Sequence, residues 1–461
     1  MINKIITRKP RDYQIDALRY SENVYHPAYF IEPRLGKTFI TIRDIKKRFT
    51  DIGPVLIIAP YSALYGWERE LSLEGFNQND IVYLTGERVE KEKSIVKDGI
   101  FFLINKEAFI SFPEIAKFYW QVVIVDEATF LKCTPCVNWS KRYGKRPNIS
   151  KFYTENFRFV KRRYVLTGTP MTESELDYYM ILKFLDPSIL GYSNIWAFKH
   201  DNFALIPPHE YAITSKGKDF LTERLAKYCF FLARKDVDLG GEQIFQTRKV
   251  KLPQKARKIY EKIIKDFLLV VDEEILDVTD FKIETISWLR NLFGGFVQSG
   301  FMFEHKIDEI RSLVLGELKN KKLIIWCEFT NEILLLRKNL TELKIQHDFI
   351  NGDVPPMKRT NIYRSFNNGN FQILIANPHC LQYGVDLSST DTMIFYSTPL
   401  GLETRLQAQD RNISIHSSSS YVIDIICEDT IEEDFIASLH SKETKRQLIK
   451  RIVDRIMKGR S

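Results

Sequence analysis

The chain has 461 residues, more than one ordinary hydrophobic core holds, which predicts two domains of roughly 200 residues each. An apolar fraction of 44% and a charged fraction of 27% fit a folded, water-soluble protein and exclude a disordered one. The formal net charge of +8 makes nucleic acid a reasonable partner without establishing it.

At the N-terminus, MINKIITRKPRDYQ lacks the apolar core of a secretory leader. No run approaches the ~20 apolar residues of a membrane span. A cytoplasmic, soluble protein is therefore expected; its oligomeric state is open, with a monomer favoured. The first chemistry-bearing segment is PAYFIEPRLGKTFITIRDI, residues 27–45. An apolar stretch runs into Gly36-Lys37-Thr38, and a helical pattern follows. Backbone N–H groups at a helix start cradle phosphates. Lys37 would reach the β/γ-phosphates of a nucleotide and Thr38 would ligate Mg²⁺. The full P-loop pattern has a glycine where this chain has Ile31.

Short apolar runs follow at 54–60, 100–105, 121–127 and 163–170. They are continuous rather than alternating and rich in Val and Ile. Such runs predict central strands of a parallel sheet covered on both faces. The third run ends in Asp126-Glu127. A carboxylate pair at the end of a buried strand, downstream of GKT, fits a P-loop ATPase. Asp126 would hold the metal through water, and Glu127 would polarise the attacking water.

Six cysteines are scattered along the chain. Cys133 and Cys136 alone have metal-like spacing, but a zinc site needs about four ligands and no second pair follows. Free thiols in a reducing compartment are expected instead. The loop 140–151 is basic, and Lys141, Arg142, Lys145 and Arg146 would contact phosphates of a nucleic acid, or simply form a solvated surface. Residues 238–254 carry Gly240-Gly241 and Pro253, which predicts a hinge. A charged helical region begins at 255. Further buried-strand runs come at 322–329, 371–377, 391–397 and 421–427. Alternation of strands and helices in both halves predicts doubly wound α/β architecture. The expected domains are an N-terminal lobe over 1–240, a linker over 241–253 and a C-terminal lobe over 254–461.

In order, these segments resemble the motifs of superfamily-2 helicases, and within them the Swi/Snf-type DNA-dependent ATPases. Arg11-Asp12-Tyr13-Gln14 resembles the upstream element whose glutamine reads adenine. Glu32 to Thr38 resemble the P-loop, including Arg34 and Gly36. IIAPYSALYGWEREL (57–71), with Ser62 and Trp67, resembles a segment that lies along a DNA strand. Asp126-Glu127-Ala128-Thr129 resembles the DExx box. Leu166-Thr167-Gly168-Thr169-Pro170 resembles a motif that couples nucleotide to DNA. In the second half, residues 349–366 resemble the stretch after the fourth motif. QYGVDL (382–387), with Gly384 and Asp386, and QAQDR (407–411), with Gln407 and Arg411, resemble the last motifs. Thr430-Ile431-Glu432-Glu433 follows them.

The resemblance implies two RecA-like parallel-sheet lobes with a nucleotide cleft between them. It implies ATP and Mg²⁺ as cofactors and duplex, forked or branched DNA as partner, held mostly through phosphates. Arg411 would be the second-lobe arginine on the γ-phosphate. The form looks stripped-down, bacterial or phage-like, of the kind associated with replication, recombination or repair. The departures are Arg34 in place of a glycine, Thr129 in place of His or Gly, and Ser414 where a second arginine normally stands. Arg405 lies nearby as a substitute. Two rival readings remain: an ATP-binding DNA scaffold with weak hydrolysis, and an RNA helicase of the same superfamily. The aromatic residues include Trp67, Trp139 and Trp288, and most of the aromatics are expected in the core rather than stacked on bases.

Overall fold

The structure is a computed structural model. It describes residues 8–108, 112–131, 149–168, 174–206, 210–237, 242–273, 279–297, 300–301, 303–381, 387, 389–412, 419–441, 448, 451–452 and 455. The chain divides into two compact units, Met1–Leu239 and Gly240–Ser461.

The first unit opens with α1 (Asp12–Glu22), β1 (Ala28–Ile31), α2 (Lys37–Arg48), β2 (Val55–Ala59) and α3 (Tyr61–Leu73). β3 (Ile81–Tyr83), α4 (Arg88–Ile95), β4 (Phe101–Asn105), β5 (Val122–Asp126), α5 (Ile149–Asn156) and β6 (Arg162–Thr167) follow. The unit closes with α6 (Asp177–Leu185), α7 (Ile195–Asn202), the hairpin β7 (Phe203–Ile206) and β8 (Glu210–Ile213), α8 (Ser215–Tyr228) and β9 (Cys229–Leu232). Seven strands form one sheet in the order β3-β4-β2-β5-β6-β1-β9, and every pairing in it is parallel. Successive residues of β2, such as Leu56 and Ile57, are fully buried although they point to opposite faces. Both faces are therefore covered, which is why the central strands are uninterrupted Val/Ile/Leu runs.

The second unit begins with β10 (Glu242–Val250), α9 (Gln254–Glu273), α10 (Thr279–Phe293), the short pair β11 (Phe296–Val297) and β12 (Gly300–Phe301), and α11 (His305–Leu315). Then come β13 (Leu323–Trp326), α12 (Thr330–Glu342), β14 (His347–Ile350), α13 (Pro356–Asn367), β15 (Ile373–Ala376), β16 (Thr392–Phe395), α14 (Leu402–Gln409), β17 (Ser419–Cys427) and α15 (Glu432–His440). Its sheet runs β10-β17-β16-β13-β15-β14, again all parallel. Two α/β units with parallel sheets are the expected fold class. No described helix is long and apolar enough to cross a membrane.

One expectation needs correction. Residues assigned to the linker form β10, which pairs with β17 over nine residues, from Glu242↔Ser419 to Val250↔Cys427. Its exposed residues include Gln246, Thr247 and Lys249, on both faces, so it reads as a polar connector although its backbone is in a ladder.

Candidate nucleotide-hydrolysis site

In a parallel sheet, ligands gather at the carboxyl ends of the strands. β5, β6 and β1 are neighbours and point the same way. Their carboxyl ends deliver Asp126-Glu127, Thr167-Gly168 and the loop Glu32–Gly36 to one edge.

The loop after β1 turns tightly. Arg34 has φ 71° and Gly36 φ 85°, both left-handed. Gly36 caps the start of α2. A Cβ there would lie 2.5 Å from Nε2 of Gln14, so a side chain at this left-handed position would displace the end of Gln14 from the loop. Arg34 holds the same backbone region with a full side chain, at a strain of roughly 1–3 kcal/mol. Lys37, the first residue of α2, turns its ammonium back to donate to the Ile31 carbonyl at 2.7 Å. Lys37 and Thr38 are partly exposed, as phosphate-contacting groups must be.

Gln14 sits on α1 against this loop. Its Oε1 accepts from the Arg11 backbone N–H at 3.0 Å, and its Nε2 donates to the Leu35 carbonyl at 3.3 Å. Gly168 packs on the other side: a Cβ there would meet Pro33 Cδ at 2.9 Å. Under the loop, Asp44 of α2 accepts from Ser21 of α1 at 2.7 Å and from Arg162 of β6 at 2.6 Å. Tyr164 of β6 donates to it as well. This buried network ties the helix of Gln14, the helix of Lys37 and β6 into one block.

Asp126 is 8% exposed. Burial, then the neighbouring Glu127 charge, push its pKa above the usual carboxylate range, while the Lys37 ammonium pulls it back down. Lys37 is thus close enough for its charge to be felt at Asp126. Both carboxylate oxygens are engaged: Oδ1 accepts the Glu127 backbone N–H at 2.9 Å and Oδ2 the Trp67 indole N–H at 2.8 Å. Glu127 has φ 48°, left-handed, and strain of this kind collects at catalytic positions.

A Mg²⁺ ion carried by nucleotide phosphates needs one or two protein carboxylates. A buried carboxylate whose charge is penalised by burial, with partly exposed Thr38 in the first turn of α2, fits that requirement. Among the described residues no cluster of three or more His, Cys, Asp or Glu could hold a metal. The described cysteines, Cys229, Cys327, Cys380 and Cys427, are free thiols.

Two nucleic-acid assignments are corrected. Trp67 is 1% exposed and faces Asp126, so it is not a surface contact. Thr167 is fully buried as the last residue of β6. Ser62 is partly exposed near the start of α3, while Trp288, against the expectation for most aromatics, is 61% exposed. Lys141, Arg142, Lys145, Arg146, Thr169, Gly384, Asp386 and Ser414 lie outside the described residues, as do Cys133, Cys136 and Trp139.

In the second unit, Gln407 is buried on α14, and Arg411 is partly exposed in the turn that follows it. Arg405, the proposed substitute, is excluded from that role. It is 1% exposed, pairs with both oxygens of Asp424 at 2.5 and 2.8 Å, and stacks on Phe395. The segment Thr430–Glu433 is a structural staple. Buried Glu432 accepts from the Lys306 ammonium and the Cys427 backbone N–H, each at 2.7 Å.

The sequence reasoning missed Arg234. Its backbone N–H donates to Glu32 Oε2 at 2.9 Å, and Nε and Nη2 donate to the Pro33 carbonyl at 3.2 and 2.9 Å. Nothing local in ARKDVD marks this contact, since the partners lie some 200 positions away. The one signal was an arginine directly after an apolar strand run.

A left-handed loop after β1 and a strand-end carboxylate pair at the end of β5, with β6 between the two strands of one parallel sheet, are the marks of a P-loop ATPase unit, followed here by a second parallel-sheet unit. Residues 29–292 match the SNF2-related domain and residues 305–416 the helicase conserved C-terminal domain. The chain belongs to the SNF2-related, Swi/Snf-type family of helicase ATPases. It is 23% identical to a protein of Oryza sativa subsp. japonica named "Probable chromatin-remodeling complex ATPase chain", over 95% of this chain and 40% of that one. It is 25% identical to an "Uncharacterized ATP-dependent helicase" of Mycoplasma pneumoniae, over 92% of this chain and 40% of that one. The chain thus spans 40% of the length of each of these relatives. Its fold is similar to the Hef helicase domain of Pyrococcus furiosus, with a TM-score of 0.55 at 16% identity, covering 95% of this chain and 99% of that one.

Proposed function

We propose that the chain is a Mg²⁺-dependent ATPase that converts hydrolysis into movement along duplex or branched DNA. The observation that carries this reading is the meeting of Lys37, Asp126 and the strained Glu127 at one sheet edge. Lys37 and the loop amides hold the phosphates, Asp126 and Thr38 hold the metal, and Glu127 orients the attacking water. Gln14 reads adenine beside the loop it braces. Gly384, Asp386, Gln407 and Arg411 supply the second unit's share of the site, with Arg411 acting on the γ-phosphate. Family membership and the net charge of +8 support DNA as the partner, gripped through its phosphates. The cellular setting is replication, recombination or repair in a bacterial or phage-infected cell.

The test is the rate of ATP hydrolysis on single-stranded, duplex, forked and four-way DNA and on RNA. Stimulation by duplex or branched DNA supports the reading. Stimulation by RNA alone would move the chain to the RNA helicases. A second reading, an ATP-binding scaffold with slow turnover, gains from the burial of Arg405, which leaves Arg411 without that substitute. Negligible hydrolysis on every nucleic acid, with ATP still bound, would favour the scaffold.

A further inference from the structure

Trp67 lies in the middle of α3 and is almost fully enclosed, yet its one polar atom is spent on Asp126. An indole carries one donor and no acceptor, so in an apolar setting its N–H must find an acceptor. Phenylalanine would fill this core without that demand. The acceptor found is an oxygen of the DExx carboxylate, whose other oxygen is already held by the Glu127 backbone N–H. With a directional donor on each oxygen, the carboxylate cannot rotate without breaking a bond. Each oxygen keeps a second lone pair for a metal-bound water.

The far side of the bond is equally fixed. Glu74, at the end of α3, is fully buried and pairs with Arg43 of α2 at 2.5 Å. Its carbonyl accepts from Lys46 of α2 at 2.7 Å. Arg8 bridges Glu70 and Glu74 at 2.7 and 3.2 Å. So α3 is clamped to α2, the helix that begins at Lys37, and Trp67 reaches from α3 to the end of β5. The chain of contacts Lys37–α2–α3–Trp67–Asp126 joins the phosphate-binding lysine to the metal-holding carboxylate through rigid elements.

We infer that Trp67 is a positioning residue for the nucleotide-bound metal: its N–H locks the Asp126 carboxylate in one orientation relative to Lys37. The inference rests on the proposed role of Asp126. Two replacements test it, Trp67→Phe and the incorporation at position 67 of benzothienylalanine, which keeps the shape of tryptophan but has sulfur in place of N–H. The readout is binding of a fluorescent ADP derivative as Mg²⁺ is titrated from an EDTA baseline, with melting temperature as the measure of fold. Loss of a hydrogen bond to a charged group should raise the Mg²⁺ half-saturation point by about tenfold or more. Binding in EDTA should match the native protein, and the isostere should melt cooperatively a few degrees lower, as the loss of one buried hydrogen bond requires. An unchanged Mg²⁺ half-saturation in the isostere overturns the inference, and assigns Trp67 to packing if Trp67→Phe alone is unstable. If the native protein binds ADP with no response to Mg²⁺, the role of Asp126 itself fails, and the inference fails with it.

Discussion

Arg405 and Asp424 form a bidentate ion pair inside the second unit, joining α14 to β17 beneath the turn that carries Arg411. Two arginines six residues apart therefore have opposite circumstances: one is sealed in the core and the other partly exposed. Breaking a buried pair by removing one partner costs about 3–5 kcal/mol, because the other charge is left without compensation. Arg405→Ala should lower the melting temperature sharply. Arg411→Ala should leave it unchanged while reducing ATP turnover ~10²-fold or more, with ATP affinity far less affected. Comparing melting curves with turnover for the pair checks this, and the reverse pattern would show that the two roles are exchanged.

Glu127, the carboxylate proposed to orient the attacking water, has a left-handed backbone. Glycine adopts that backbone freely. Glu127→Gly should abolish hydrolysis yet melt no lower than the native protein, since relief of strain offsets the added freedom of the unfolded chain. A clear drop in melting temperature would mean that the Glu127 side chain, not the fold around it, holds the turn.

Arg234 grips the Pro33 carbonyl with two nitrogens, one residue before the left-handed Arg34. Arg234→Ala should free the loop and weaken ATP binding by about tenfold, as expected for losing charged hydrogen bonds. Saturated turnover should change much less. Equilibrium binding of ATP to the variant measures the effect; native affinity would reduce Arg234 to a packing role.

Glu332 of α12 is fully buried, and burial raises its pKa to about 7 from an ordinary 4.5. It accepts hydrogen bonds through Oε2 from Ser397 and the Phe329 backbone N–H, while Oε1 has no partner among the described residues. The folded state therefore holds the proton more tightly than the unfolded chain does. That stabilisation is complete below pH 4.5 and is lost as pH rises through about 7. Glu332→Gln, which cannot ionise, should flatten the fall in stability between pH 5 and 8, a window set by the two pKa values. Chemical denaturation across that range tests it, and parallel native and variant profiles would sink the assignment.

How legible this molecule was in its sequence depended on burial. Ile57, Val123 and Ile324 lie in central strands, where both faces are covered, so their runs are continuous and easily found. The edge strands β10 and β14 are hydrogen-bonded on one side and half-wet, and their polar residues conceal them. The candidate site was half visible. Lys37, Asp126 and Glu127 are local signals at the ends of strands. Nothing local marks the partner of Trp67: the resemblance assigns its segment to DNA, and only the packing of α3 brings the indole to Asp126. Arg234 and Arg405 were invisible as structural clamps, since their partners are fixed only when distant segments pack.

The described part of the second unit opens with β10, whose backbone is paired with β17 over its whole length. The seam in the polypeptide therefore falls before Glu242 rather than after Pro253. A polypeptide started at residue 254 would lack that strand and leave the nine residues of β17 as an open, largely apolar edge, an invitation to pair with other copies. One started at Glu242 would keep β17 covered by β10, leaving as the edge a strand whose exposed residues include Gln246, Thr247 and Lys249.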